Sequence, residues 1–134
     1  MSTNSHDAKA VVGQFYAAIG GWDEEALRAV LHEDAELHQP ATLPYGGVYR
    51  GPDAMMKLWK DVILPLSSPD DFVLEAMAVD GDRVAVLIRS KMNDKPVFAC
   101  EKYTVRDGRI AEIRMYWFDP TPVAEAAAAA GVGG

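Results

Sequence analysis

The run Val97-Phe98-Ala99-Cys100-Glu101-Lys102-Tyr103-Thr104-Val105-Arg106 reads as a β-strand with one face for the core and one for solvent. Alternate residues of a strand point to opposite sides of a sheet. One face carries Val97, Ala99, Glu101, Tyr103 and Val105; the other carries Phe98, Cys100, Lys102, Thr104 and Arg106. The first set is the more apolar and is predicted to face the interior, taking Glu101 with it. An ionised carboxylate is costly to bury unless it is paired or its pKa rises. A raised pKa is what a general acid or base near neutral pH requires.

The same period of two extends on both sides of this run. It predicts strands near 72–79, 83–92, 97–106 and 110–119, joined by tight turns at Asp80-Gly81-Asp82, Asn93-Asp94-Lys95-Pro96 and Asp107-Gly108. The last strand places Ile113, Met115, Trp117 and Asp119 on one face. Upstream the period becomes helical. Val11, Val12, Phe15, Tyr16 and Ile19 share a helix over residues 7–20, stopped by Gly20-Gly21. Asp23 is the expected N-cap of a second helix, with Ala26, Leu27, Val30 and Leu31 as its apolar face. A short strand at about 34–39 ends at Pro40. The turn formers and aromatics of residues 40–51 predict an ordered loop. Pro52 opens a third helix bearing Met55, Met56, Trp59, Val62 and Ile63, which is expected to end before Pro65.

With 134 residues, 49% hydrophobic and 25% charged, the chain has the size and composition of one globular domain, expected over 7–121. Residues 1–6 read as a flexible N-terminus, and the Ala/Gly-rich tail 122–134 as disordered, because a short alanine stretch without a packed face is a marginal helix. A net charge of −7 argues against nucleic acid, which needs a basic patch. No apolar run approaches a membrane span of about 20 residues, and residues 1–7 lack the apolar core of a signal peptide. The one cysteine, Cys100, excludes an internal disulfide and fits a reducing, cytoplasmic setting. No glycine loop to cradle a phosphate is present, so no organic cofactor is expected. His32, Asp34, Glu36 and His38 straddle a helix-to-strand change and form no convergent ligand set, so no metal is expected either.

These elements make an α+β fold, helices followed by an antiparallel meander. A strongly curved sheet wrapped around the helices leaves a cone-shaped cavity. Its expected lining is Tyr16, Trp59, Met55, Met77, Glu101, Tyr103, Met115 and Trp117, an apolar site with few polar groups.

Three helices, the segment Gly47-Val48-Tyr49-Arg50-Gly51-Pro52-Asp53-Ala54, and the run from Tyr103-Thr104-Val105-Arg106-Asp107-Gly108-Arg109-Ile110 to Phe118-Asp119 resemble the nuclear-transport-factor-2-like superfamily. Within it they are most similar to the SnoaL-like and ketosteroid-isomerase-like branch. The resemblance spans about 7–120 and implies a cone-shaped α+β barrel: three N-terminal helices packed on a strongly curved, mostly antiparallel sheet. It also implies a homodimer formed through the exposed sheet face. Ketosteroid isomerases pair a first-helix tyrosine with a protonated acid on a late strand, positions that fall on Tyr16 and Glu101 here. Their base is an aspartate before a proline, where this chain has Gln39 before Pro40. The limonene-epoxide-hydrolase branch needs acids where Lys91 and Tyr116 stand beside Arg89, so it does not fit.

The resemblance and the residues together imply a cofactor-independent acid–base enzyme of isomerase, cyclase or dehydratase type. Its ligand is expected to be a hydrophobic oxygenated small molecule such as a polyketide, steroid or terpenoid. Glu101 transfers the proton, Tyr16 polarises a substrate oxygen, and His38 or Asp119 is the complementary base. Each has a plainer alternative: Glu101 salt-bridged to Arg89 or Lys102, Tyr16 a core aromatic, Asp119 a cap for Pro120-Thr121-Pro122. Alternation turns His38 away from Gln39 unless a bulge beside Pro40 reverses it. Gln39, Trp59, Tyr45, Met55, Tyr103, Met115 and Trp117 are the expected substrate-binding residues, Tyr45 as part of a lid or as loop packing. A non-catalytic binding protein with the same pocket is the alternative function, and a structural dimerisation domain a third.

Overall fold

The computed structural model describes residues 5–67 and 69–132. Helix α1 (Ser5–Gly20) buries Ala8, Val11, Val12, Phe15 and Ala18 along one stripe. It stops where Trp22 turns left-handed, at φ 48°. Helix α2 (Glu24–Val30) starts at Asp23, whose Oδ1 accepts the Ala26 N–H at 3.1 Å. Leu31, expected on this helix, is instead the first residue of strand β1 (Leu31–Gln39), where it pairs with Ile110. Its side chain is buried either way, which is why helical spacing included it.

Residues 40–51, read as a loop, contain strand β2 (Gly47–Arg50), paired antiparallel with β1 from Gln39↔Gly47 to Glu36↔Arg50. Helix α3 (Pro52–Leu58) does not stop before Pro65. It runs on through a π-helical turn, Trp59–Ile63, and a last turn, Leu64–Leu66. The Leu64 N–H bonds back to the Trp59 carbonyl, five residues earlier. This wider turn accommodates Pro65, which lacks an N–H and whose ring crowds a regular α-turn.

The remaining strands are β3 (Val73–Asp80), β4 (Arg83–Met92), β5 (Lys95–Arg106) and β6 (Arg109–Trp117). The β4–β5 and β5–β6 turns place Asn93 and Asp94 (φ 54° and 65°), then Asp107 and Gly108 (φ 55° and 75°), in the left-handed region. Two such residues in succession suit the twist of a hairpin. The six-stranded sheet has the order β2-β1-β6-β5-β4-β3. All neighbours are antiparallel except β1 and β6. The fold is therefore α+β with a mostly antiparallel sheet that is not closed. Val97, Ala99, Tyr103 and Val105 are buried as alternation predicts, with Val84, Val86 and Ile88 beside them on β4.

The C-terminal segment departs from the expected disorder. Thr121–Ala129 is helix α4, with Val123, Ala126 and Ala127 buried against β4 and β5. Lys95 Nζ meets Glu125 Oε2 at 2.7 Å. Alanine supplies helix propensity, and the sheet supplies the packed face that local sequence lacked. Residues 1–4, 133 and 134, expected to be flexible or disordered, lie outside the described residues; residues 5 and 6, also expected to be flexible, belong to α1. No helix among the described residues is long and apolar enough to cross a membrane.

Candidate functional site

A cavity of about 280 Å³ lies between α1, the π turn of α3 and the inner face of the sheet. Its size is near the lower end for small-molecule sites. Phe15, Ile19, Trp59, Ile63, Ile88 and Met115 give it apolar walls, and Glu101 is the one carboxylate among its lining residues.

Alternation along β5 fixes the direction of Glu101, and the packing of α1 fixes its partner. The Tyr16 hydroxyl donates to Glu101 Oε1 at 2.7 Å, and the Tyr103 hydroxyl donates to that of Tyr16 at 2.9 Å. Phe15 holds both phenols, its ring 5.5 Å from Tyr16 and 5.6 Å from Tyr103, and Trp59 stands 5.2 Å away on the same ring. The alternative ion pairs for Glu101 do not form. Arg89 pairs with Glu75 at 3.7 Å and Lys102 with Glu112 at 3.5 Å, both on the opposite face. What surface Glu101 retains belongs to the cavity.

Burial pushes the Glu101 carboxyl above its ordinary value, and hydrogen bonding from Tyr16, with Tyr103 behind it, pulls it partly back. Burial, and then the Glu101 charge, push the Tyr16 phenol far up, and Tyr103 moves the same way for the same reasons. The phenols thus stay protonated as permanent donors, while Glu101 is the group that changes charge. The hydrogen-bond chain runs toward the carboxylate. A carboxyl so placed, with no cation paired to it among the described residues, takes up a proton in its ionised form and gives one in its neutral form.

Of the residues expected here, Tyr16, Glu101, Gln39, Trp59, Met115 and Trp117 line the cavity. Tyr103 is fully buried behind Tyr16 and acts on the site through it. Met55 and Tyr45 are core residues and do not line the cavity; Tyr45 packs inward, and its carbonyl accepts the Tyr49 hydroxyl at 2.6 Å. Met77 is half-buried and also set apart from it.

His38 is a correction. It lies on the outer face, with Nε2 at 3.1 Å from Glu36 Oε1 and 3.8 Å from Glu112 Oε2. No bulge beside Pro40 turns it inward: His38↔Arg114 and Gln39↔Gly47 keep regular pairing. Asp119 is also corrected. It lies past the end of β6, where its Oδ1 accepts the Thr121 N–H at 3.0 Å, a bond that lowers its pKa. It starts α4 and does not line the cavity.

Glu36, His38 and Glu112 bring their donor atoms within 4.8 Å of one another, a convergence that sequence spacing does not reveal because Glu112 comes from β6. Cations already hold those carboxylates. Arg50 approaches Glu36 at 3.4 Å, and Arg114 and Lys102 approach Glu112 at 3.0 and 3.5 Å. The cluster is an ion-pair network.

Ser90, Met92, Val97 and Phe72 also line the cavity and were not expected there. The signal for Ser90 was present: it shares the inward face of β4 with Val84, Val86 and Ile88. Phe72, expected as the first residue of a strand over 72–79, sits just before β3, and its ring is 6.1 Å from that of Tyr16.

A model of the SnoaL-like domain matches residues 12–113. No curated protein matches the chain. Among solved structures, an NTF2-like protein from Burkholderia xenovorans is 26% identical, with TM-score 0.77 over 95% of this chain and 98% of that one. A candidate ketosteroid isomerase from Kribbella flavida is 17% identical, with TM-score 0.72 over 87% and 82% of the two chains. A candidate polyketide cyclase from Sinorhizobium meliloti is 23% identical, with TM-score 0.65 over 80% and 94%. The last two likenesses concern the fold alone.

Proposed function

This chain belongs to the SnoaL-like domain family, and from that premise we propose that it is a cofactor-independent acid–base enzyme. Its substrate is a hydrophobic oxygenated small molecule of polyketide, steroid or terpenoid type, and its reaction an isomerisation, cyclisation or dehydration begun by proton transfer to Glu101. One observation carries this reading: the 2.7 Å bond from Tyr16 to a cation-free Glu101 at the wall of an apolar cavity. Gln39, which cannot take a proton, stands where steroid isomerases of similar fold keep their base. Glu101 fills that role from another strand. A non-catalytic binding protein is the second reading, favoured by Gln39 alone.

The test uses compact β,γ-unsaturated ketones in D2O, with deuterium incorporation next to the carbonyl followed by mass spectrometry. The enzyme is expected to exchange that hydrogen with a rate that rises with pH as Glu101 ionises. Tyr16 stabilises the ionised form, so Tyr16→Phe raises the carboxyl pKa and moves this limb to higher pH. A binding protein shows no catalysed exchange.

We also propose a homodimer in the cytoplasm, supported by the single free cysteine and by the outer sheet face. Leu87, Cys100 and Tyr116 stand in one row across β4, β5 and β6. Leu87, Phe98 and Tyr116 are 49%, 46% and 51% exposed, an apolar patch suited to a second copy. Light scattering should give twice the chain mass, and Leu87→Glu should halve it. A wild-type monomer would remove the dimer.

A further inference from the structure

Three cavity residues carry buried polar atoms that meet no partner among the described residues: Trp117 at Nε1, Gln39 at Oε1 and Ser90 at Oγ. Gln39 is only 7% exposed. Unpartnered buried polar atoms are rare in folded proteins and mark places where a water or ligand completes the bonding. Ser90 stands on β4, on the far side of the Glu101 strand, where it pairs with Val97, whereas Trp117 and Gln39 stand together. Trp117 lies two residues beyond Met115 on β6, and Gln39, one past the His38↔Arg114 pair, lies beside Met115 on β1. Glu101 faces Met115 from the other side, on β5. Strand spacing therefore separates Gln39 from Glu101 by about 10 Å of sheet, with Met115 and Trp117 between. The Glu101 side offers a proton acceptor and the Ser90 hydroxyl, and the opposite wall offers the indole N–H and the amide.

We propose that Trp117 Nε1–H and the Gln39 amide bind the substrate's carbonyl oxygen while Glu101 faces the adjacent C–H, so that the substrate is a compact neutral ketone or enone. This rests on Glu101 as the proton acceptor and deepens that reading by assigning the opposite wall. When the C–H bond breaks, its electron pair becomes the enolate π bond and the carbonyl pair moves onto oxygen. The proton rests on Glu101 until it returns to carbon, so nothing is oxidised or reduced. Donors aimed at an oxygen where charge develops stabilise that step. The indole N–H can only donate. As placed, Gln39 presents its acceptor Oε1 to the cavity, so binding a carbonyl oxygen takes the flipped amide, with Nε2–H in that position. Tyr16 is committed to Glu101 and leaves the substrate oxygen to this wall.

The test is affinity for 4-nitrophenolate, an enolate mimic whose absorbance reports its ionisation, in the full-length protein. The wild type is expected to bind the ionised form. Trp117→Phe and Gln39→Met, which keep apolar bulk, should each weaken it about tenfold or more, as for a lost bond to a charged group. Glu101→Gln should bind it more tightly, because the like charge is gone. The proposal is overturned if the wild type binds only neutral nitrophenol or none, if Trp117→Phe and Gln39→Met bind as the wild type does, or if Glu101→Gln weakens binding tenfold. Loss of ketone exchange in Glu101→Gln with no change in these two variants would sink this assignment alone. Unchanged exchange in Glu101→Gln would sink the base.

Discussion

Glu101→Gln is expected to cut turnover by about 10²- to 10⁴-fold and, in the same variant, to raise the melting temperature. The two effects have one origin. Burial holds the Glu101 carboxyl above its unfolded value of about 4.5, so between the two pKa values the folded protein binds more protons than the unfolded chain. Stability therefore falls as pH rises through that window and stays reduced above it. Glutamine keeps an oxygen to accept the Tyr16 hydroxyl and does not titrate. The gap in stability between variant and wild type should be small near pH 4, widen as pH rises from the unfolded to the folded pKa, and stay constant above it. At this chain length each kcal/mol regained is worth about 4 °C. Thermal melts from pH 4 to 8 beside ketone-exchange assays check both halves. A variant that loses activity and stability together would mean that Glu101 is a structural carboxylate.

Gly46→Ala should be the most damaging glycine-to-alanine change among the described residues, destabilising by about 2–3 kcal/mol, an overpacking cost. A Cβ at Gly46 would collide with the carbonyl oxygen of Pro40 and lie 2.9 Å from the Ala41 Cα and 3.0 Å from the Leu43 oxygen. All three are backbone atoms and cannot swing aside. The segment is closed on itself by the Leu43 N–H to Pro40 O and Gly46 N–H to Leu43 O bonds, at 3.1 and 2.9 Å. It follows Gln39 directly, so the damage should reach the cavity and weaken nitrophenolate binding as well as the fold. Urea unfolding measures the first effect. A midpoint unchanged from wild type would mean that the turn re-forms around the methyl group.

The strand meander and the inward direction of Glu101 were legible because period-two burial is written locally, residue by residue, in 83–92 and 97–106. The errors at His38 and Asp119 differ in cause. Alternation already turned His38 away from Gln39, whereas Asp119 shared the face of Met115 and Trp117 only because the last strand was expected to run to 119, and it ends at Trp117. Strand β2 was hidden because four residues at a sheet edge are too few to show a period among turn formers. Helix α4 was hidden because its stability comes from burying Val123, Ala126 and Ala127 on a sheet that precedes it by tens of residues. The same distance keeps the Tyr103–Tyr16–Glu101 chain out of any local pattern: the resemblance paired Tyr16 with Glu101, 85 positions on, but the bond from Tyr103, 87 positions from Tyr16, was not expected. Alternation could say that Glu101 and Tyr103 shared a face. Only the packing of α1 shows that their phenol and carboxyl groups meet through Tyr16.

The central claim is that Glu101 is a buried carboxylate whose charged form is held by Tyr16. Titration of the Glu101 side-chain carboxyl by carbon-detected NMR tests it most directly, in the wild type and in Tyr16→Phe. The carboxyl should titrate above 4.5 in the wild type and higher still once the phenol is gone. A midpoint at or below 4.5, or one that stays put or falls in Tyr16→Phe, would contradict it.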